Sequence, residues 1–420
     1  RGWLLAIVGP GILFLPAAVR NAGLLSAVCM SSGLGAVSTW CMLLVLDTAH
    51  RLRRRGWAVR DFSDVGEAAF GRPGRLAVNA AVVLSQLGFC TAYCVFIAEN
   101  VQSVLFEAHG GVVGRPGDGE PCALGGLLGD KKLVYYIILL LIPLLIPFTW
   151  VRQIRYFAIT NFIASMLVLT TLLYMIVSFG VQLSSGAAKG PVEGLRLFEP
   201  SGTLVYFGTA AYAFEGIGLL LPTERTMADP KQMPVVACCT MGFSCLMQVL
   251  FAGMAYVLFG AGTRSIITLS LSNGSALGGL AAVEAVQLAW VVEVFLTFPL
   301  QLFPAARLLE PAFFFPRASF RSRHSGRKWK KNAVRTGLLL TCMTVATGGY
   351  TSVENLVALI GALGCVPLAL VFPALFHARV AFGAGGAPCA ELRYGGLVPE
   401  APEPPLGGPL SDALIVATGG

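Results

Sequence analysis

Ten stretches of this 420-residue chain are apolar over the length of a bilayer-crossing helix. They fall near residues 2–23, 24–49, 76–106, 133–150, 156–183, 202–222, 234–260, 279–310, 334–350 and 353–377, and an eleventh begins near 406. A chain built this way is predicted to be an all-α polytopic membrane protein, one helical bundle over residues 1–420 with short links. Only 12% of its residues are charged, against about 25% in a soluble domain. The chain begins inside its first window and stops at Asp412–Gly420 inside its eleventh, so both ends read as cut.

The links sort by charge. One alternate set holds Arg51, Arg53, Arg54, Arg55, Arg60, Arg72 and Arg75, then Arg152 and Arg155, then Arg225 and Lys231, then the basic run from Arg317 to Arg335, then Arg379 and Arg393. The opposite set holds only Arg115, Lys131, Lys132, Lys189, Arg196 and Arg264. The positive-inside rule puts the basic set in the cytoplasm, and the other end of the bundle is called outer below. Asn273-Gly274-Ser275, a glycosylation acceptor pattern, then lies outside. The net charge of +8 sits in links, so anionic lipid headgroups are its simplest partner and nucleic acid is not expected. Residues 314–331 read as a cytoplasmic patch on such lipid, or as a solvated loop. Residues 56–75, with Trp57, Phe62, Val65 and Phe70 among charges, suit a short interfacial helix. Residues 378–409 read as a flexible linker.

Two windows are interrupted. In 202–222, Glu215 lies between Phe214 and Gly216, with Gly218 following. A carboxylate at that depth is costly and is normally turned into the protein. Glycines loosen the helix around it, and unwound backbone there must be buried in protein or line a cavity. The stretch reads as two half-helices meeting at a polar site, or as a kinked helix whose Glu215 bonds a neighbour. Residues 9–16, Gly-Pro-Gly-Ile-Leu-Phe-Leu-Pro, interrupt the first window in the same way. Paired interruptions in two halves of a chain point to a transporter's binding site. The eleven cysteines fall mostly in apolar runs and have no metal-ligand spacing. No nucleophile–base pair or phosphate loop suggests an enzyme.

Several of these segments resemble the amino acid/auxin permease family. Gly9-x-Gly11-Ile12-Leu13-x-Leu15-Pro16 with Asn21-Ala22-Gly23 is similar to its first span. Phe207–Ala210 through Phe214–Gly218 to Leu221-Pro222 resembles the sixth span of its proton-coupled amino acid transporter branch. Ser85–Cys90 with Tyr93 and Phe96–Asn100 resembles the third, Ile142–Arg152 the fourth, and Phe298–Gln301 with Pro304-Ala305 the eighth. The resemblance implies about eleven spans with the fold of the sodium-coupled leucine transporter, inverted repeats of about 1–183 and 202–377, and broken spans one and six. It implies secondary transport of amino acids by proton symport, in a vacuolar or lysosomal membrane or the plasma membrane. A sodium-coupled carrier and an amino acid sensor of the same fold are the alternatives. The coupling ion would be the proton, or sodium, with no cofactor. Family members usually have a small residue other than proline between the first-span glycines, so Pro10 removes one donor. Some animal members pair cysteines between two outer loops; Cys122 lies in one such loop, but 184–201 contain no cysteine, so that bridge is not expected.

The candidate substrate-binding set is Gly9, Gly11, Ile12, Tyr93, Phe214, Glu215 and Gly216. The Gly11 and Ile12 amides would meet a substrate carboxylate, as helix N-termini favour anions. Carbonyls freed near Phe214 and Glu215 would accept from its ammonium group. The Tyr93 hydroxyl could reach the carboxylate or close the site, or the ring could be core. Burial in general favours the neutral form of a carboxyl group, which makes Glu215, then Glu293, the proton-coupling candidates. Glu99 and Glu284 lie nearer the outer ends.

Overall fold

The computed structural model describes residues 9–108, 131–151, 157–185, 195–271, 279–314, 326–349 and 352–382. The eleventh window, the Asn273 acceptor, Cys122, most of the basic 314–331 segment and nearly all of the 378–409 linker lie outside them. The described residues contain helices and no strand. A 3-10 turn Pro10–Phe14 leads into α1 (Leu15–Ala22), then come α2 (Leu24–Arg54), α3 (Phe62–Phe70), α4 (Arg72–Ala108), α5 (Lys131–Thr149) and α6 (Phe157–Ser184). There follow α7 (Thr203–Ala213), a 3-10 turn Ile217–Leu219, α8 (Leu220–Thr226), α9 (Met233–Phe259), α10 (Ile267–Ser270), α11 (Gly279–Phe314) and α12 (Gly326–Gly349). The last helix runs as α13 (Val353–Ile360), two π-helical stretches and α14 (Phe372–Phe382).

A helix thus occupies each of the ten windows. Among the described residues, seven helical stretches are both long and apolar enough to cross a membrane, with Leu133–Thr149 a shorter apolar one. The protein is an integral, multi-pass membrane protein. α12 carries Arg327, Lys328, Lys330, Lys331 and Arg335 at its start, which lowers its mean hydropathy.

The interior is a crossing of α1, α7, α9 and α13 flanked by α2 and α4, with α11 packed on α4 and α6. Close approach is what lets them cross. A Cβ on Gly361 would overlap the Gly208 carbonyl, and one on Gly88 would overlap the Ile360 side chain. The last helix widens into π turns at Gly361–Cys365 and Pro367–Val371, the second beginning at a proline that has no amide to donate. Gly23, at φ 89°, turns the chain from α1 into α2 with Leu197 packed against it, and no side chain would fit. Amides of Leu24 and Leu25 bond the Arg196 and Leu197 carbonyls, and Glu199 N–H bonds the Ala22 carbonyl. These bonds tie the first break's helix to the segment that leads into α7.

The 56–75 segment does form a helix, opened by an Asp61–Asp64 capping box. Its apolar face turns to the protein: Phe62 and Val65 are buried, and Phe62 and Phe70 meet the Phe376 ring at 5.6 and 5.9 Å. Part of the basic charge after 314 is also internal. Buried Arg335 bonds Glu310 at 2.8 Å and the Thr149 and Val151 carbonyls at 3.1 and 2.7 Å, and Lys331 pairs with Glu310 at 3.2 Å.

Gly361→Ala is expected to lower the unfolding temperature of the purified protein in detergent, since overpacking typically costs about 1–3 kcal/mol. Gly337→Ala, where an added Cβ meets nothing within 4 Å, should not. Equal midpoints in a thermal scan would contradict the crossing described.

Candidate substrate site at two helix breaks

The chain is extended at Gly9 (φ −96°, ψ −176°) and starts its first helical turn at Pro10. The second break falls where the sequence suggests. α7 ends at Ala213, Phe214 N–H still bonds the Ala210 carbonyl at 2.9 Å, and Glu215–Gly216 leave the helix before Ile217 restarts it. The two breaks face each other. A Cβ on Gly11 would stand 3.1 Å from Ala213 Cα and 3.2 Å from the Tyr212 ring. Gly9 has open space around it, with nothing within 4 Å of an added Cβ.

The backbone groups at the breaks are partly engaged already. Ile12 N–H bonds the Gly9 carbonyl at 3.3 Å, so of the two amides expected to meet a carboxylate this one has an internal partner. Gly11 N–H would need acceptors at residues 7 and 8, outside the described residues. On the other side the Ala213 carbonyl accepts from Gln248 Nε2 at 3.2 Å.

Side chains close the space between the breaks. Phe14 meets Tyr212 and Phe96 edge-on at 6.1 and 6.2 Å, and Phe89 meets Tyr212 at 4.6 Å. Tyr212 is buried, and its hydroxyl has no partner among the described residues. Phe214 is buried as well. Tyr93 is buried on α4, in electrostatic reach of Tyr212, Glu293 and Glu215. Glu215 is ringed by protein yet keeps part of its side chain accessible, with Oε1 beside Gly218. Glu293, on α11, accepts from Thr297 Oγ1 at 3.4 Å through Oε1, and its buried Oε2 has no partner among the described residues. Gly9, Gly11, Ile12, Phe214, Glu215 and Gly216 make up the two breaks, while Tyr93 on α4 is in electrostatic reach of Glu215 in the second break and of Glu293 on α11. The described residues hold no cluster of three or more metal-ligating side chains.

The profile of the transmembrane amino acid transporter protein family matches residues 3–381. The chain belongs to that family. The family is one of transporters, not enzymes. The chain is 27% identical over 398 residues to vacuolar amino acid transporter 4 of Saccharomyces cerevisiae, covering 90% of this chain and 51% of that one. It is 27% identical over 377 residues to vacuolar amino acid transporter 3 of Schizosaccharomyces pombe (89% and 52%), and 28% identical over 381 residues to amino acid transporter AVT3C of Arabidopsis thaliana (90% and 81%). It thus spans about half the length of the two yeast relatives.

Sequence reasoning missed three parts of this site. Tyr212 and Phe14 sat inside the interrupted stretches without being singled out. Gln248 had a usable signal, since a buried amide in an apolar helix must find a partner. The third is a cluster roughly 12 Å outward of Ile12, at eight residues of 1.5 Å rise. There Arg20 bonds Glu354 at 2.7 Å and the Thr263 carbonyl, while Glu354 also accepts from Asn21 at 2.6 Å and Ser265 at 3.0 Å. At the opposite end, the buried Glu224 on α8 joins His50 at 2.6 Å and Arg53 at 2.8 Å on α2.

Gln248→Leu leaves the Ala213 carbonyl without its donor, a loss of about 1–3 kcal/mol. A lower unfolding midpoint than wild type is expected, and Gln248→Met, equally without a donor, should lower it too. A midpoint unchanged in the Leu variant would mean the bond does not hold the break.

Proposed function

We propose that this chain carries amino acids across a vacuolar-type membrane as a proton symporter. The substrate is held between the breaks at Gly9–Ile12 and Phe214–Gly216. The observation that carries this reading is the contact of Gly11 with Tyr212 and Ala213, which sets one helix start against one helix end. A zwitterion suits that pairing, its carboxylate toward the amide end and its ammonium toward the carbonyl end. The names of the yeast relatives support the substrate class and the membrane. The reading also takes residues 1–183 and 202–377 as inverted repeats, with an eleventh span after residue 406. Protonation of Glu215, the first candidate, or of Glu293, the second, would alter the bonds around the unwound segment and bias inward against outward states.

The full-length protein in proteoliposomes, offered labelled amino acids under separate pH and sodium gradients, tests this. Accumulation on an inwardly directed proton gradient alone is expected. Accumulation on sodium alone would make the protein a sodium-coupled carrier, and binding without uptake a sensor. Gly11→Leu should abolish uptake in a protein that still expresses and folds, because its Cβ would press on the Ala213 backbone. Glu215→Gln should keep substrate exchange and lose pH-driven accumulation. Full accumulation by that variant would move the coupled proton to Glu293.

A further inference from the structure

Three successive buried groups on one face of α11 lack protein partners. Gln287 Oε1, Trp290 Nε1 and Glu293 Oε2 are all enclosed and unpaired among the described residues. They recur every third residue, so each stands about 4.5 Å along the helix from the next. They also alternate as acceptor, donor, acceptor. A buried donor or acceptor left alone is costly, and ordered water is the ordinary remedy. Two waters bonded to each other span the roughly 9 Å from Gln287 Oε1 to Glu293 Oε2, and the single Trp290 N–H donates to one of them.

The row has an outer end. Gln287 Nε2 bonds the Thr268 carbonyl at 3.0 Å and Ser103 Oγ at 3.4 Å, and Ser103 is part-exposed near the outer end of α4. One turn further out Glu284 is part-exposed too, and no lysine or arginine lies between it and Arg307 on α11. The inner end of the row is Glu293 itself. Tyr93 from α4 and Tyr212 from α7 are in electrostatic reach of Glu293, and both also sense Cys90 and Glu215. The basic residues of the helices packed on α11 sit at their ends, at Arg72, Arg75, Lys131, Lys132 and in the 327–335 run. The route is distinct from the Arg20–Glu354 cluster, which joins α1 to α13.

We infer that protons enter from the outer side along α11, through a water file held by Gln287 and Trp290, and reach Glu293 Oε2. A proton from outer water forms an O–H bond to the first water of the file, each water breaks one O–H bond as its neighbour forms one, and the last proton released protonates Glu293 Oε2, so the waters are restored and one carboxylate becomes a carboxylic acid. Gln287 and Trp290 are positioning residues: they order water and do not themselves titrate. The inference rests on proton coupling and names the path that feeds it, separate from the substrate's path.

Gln287→Leu and Trp290→Phe remove the water-holding atoms at similar volume. In proteoliposomes each is expected to cut the initial rate of pH-driven uptake several-fold and to steepen its dependence on outer pH. Substrate exchange at equal pH should stay at the wild-type rate. Wild-type pH-driven rates in both variants overturn the path. Equal loss of exchange and of driven uptake also overturns it, since that marks a packing role. Radiolytic hydroxyl labelling of the wild-type protein gives a second reading that does not depend on coupling. Trp290 should be labelled although it is fully buried, while the equally buried Phe298 should not. No label on Trp290 refutes the water file. Labelled Trp290 in a protein driven by sodium alone would uphold the file and refute proton symport instead.

Discussion

A peptide group that leaves its helix inside a bilayer has no solvent to turn to, and the whole centre of this protein is arranged around that fact. Each break is short, and its neighbours absorb most of the loose ends. Phe214 N–H keeps its bond to Ala210, Gln248 reaches across from α9 for the Ala213 carbonyl, and Ile12 N–H bonds back to Gly9. Few main-chain groups are then left for a ligand, which makes a small, doubly charged solute a better match than a large one.

Holding two breaks together also requires helices that touch backbone to backbone. Gly11, Gly208 and Gly361 supply those contacts, Gly88 makes room for the Ile360 side chain, and the rings of Phe14, Phe89, Phe96 and Tyr212 fill the space beside them. The π-widened last helix belongs to the same device, because Gly361 stands where α7 comes nearest. Small residues and aromatics thus have complementary roles: the first set the helix distance, and the second determine what space remains.

Most of the helices were legible in sequence, because hydropathy over a bilayer thickness is a long and redundant signal. The second break was legible too, from one acid and its glycines within a span. Two kinds of feature were not. The apolar residues of α3 read as those of an interfacial helix, and only the packing of Phe62 and Phe70 against Phe376 turns them toward protein. Arg20 and Glu354 lie 334 residues apart, and each taken alone reads as a charge at a wet helix end. For the site itself, sequence named the residues but not their bonding. That Ile12 already has an acceptor follows from a local 3-10 turn, which no residue type announces.

The ionic ties at the two ends of the bundle differ in what they join. Arg20 and Glu354 hold α1 to α13 at the outer end, while Glu224 holds α8 to α2 at the cytoplasmic end. Both ties close at contact distance, 2.7 Å for Arg20–Glu354 and 2.8 Å for Arg53–Glu224, with side chains largely withdrawn from solvent. Dissolved salt screens exposed charges farther apart than about 8 Å and reaches part-buried contact pairs much less. Changing the electrolyte on either face therefore leaves both clasps in place, and their grip is set by burial within the protein rather than by the ionic strength around it.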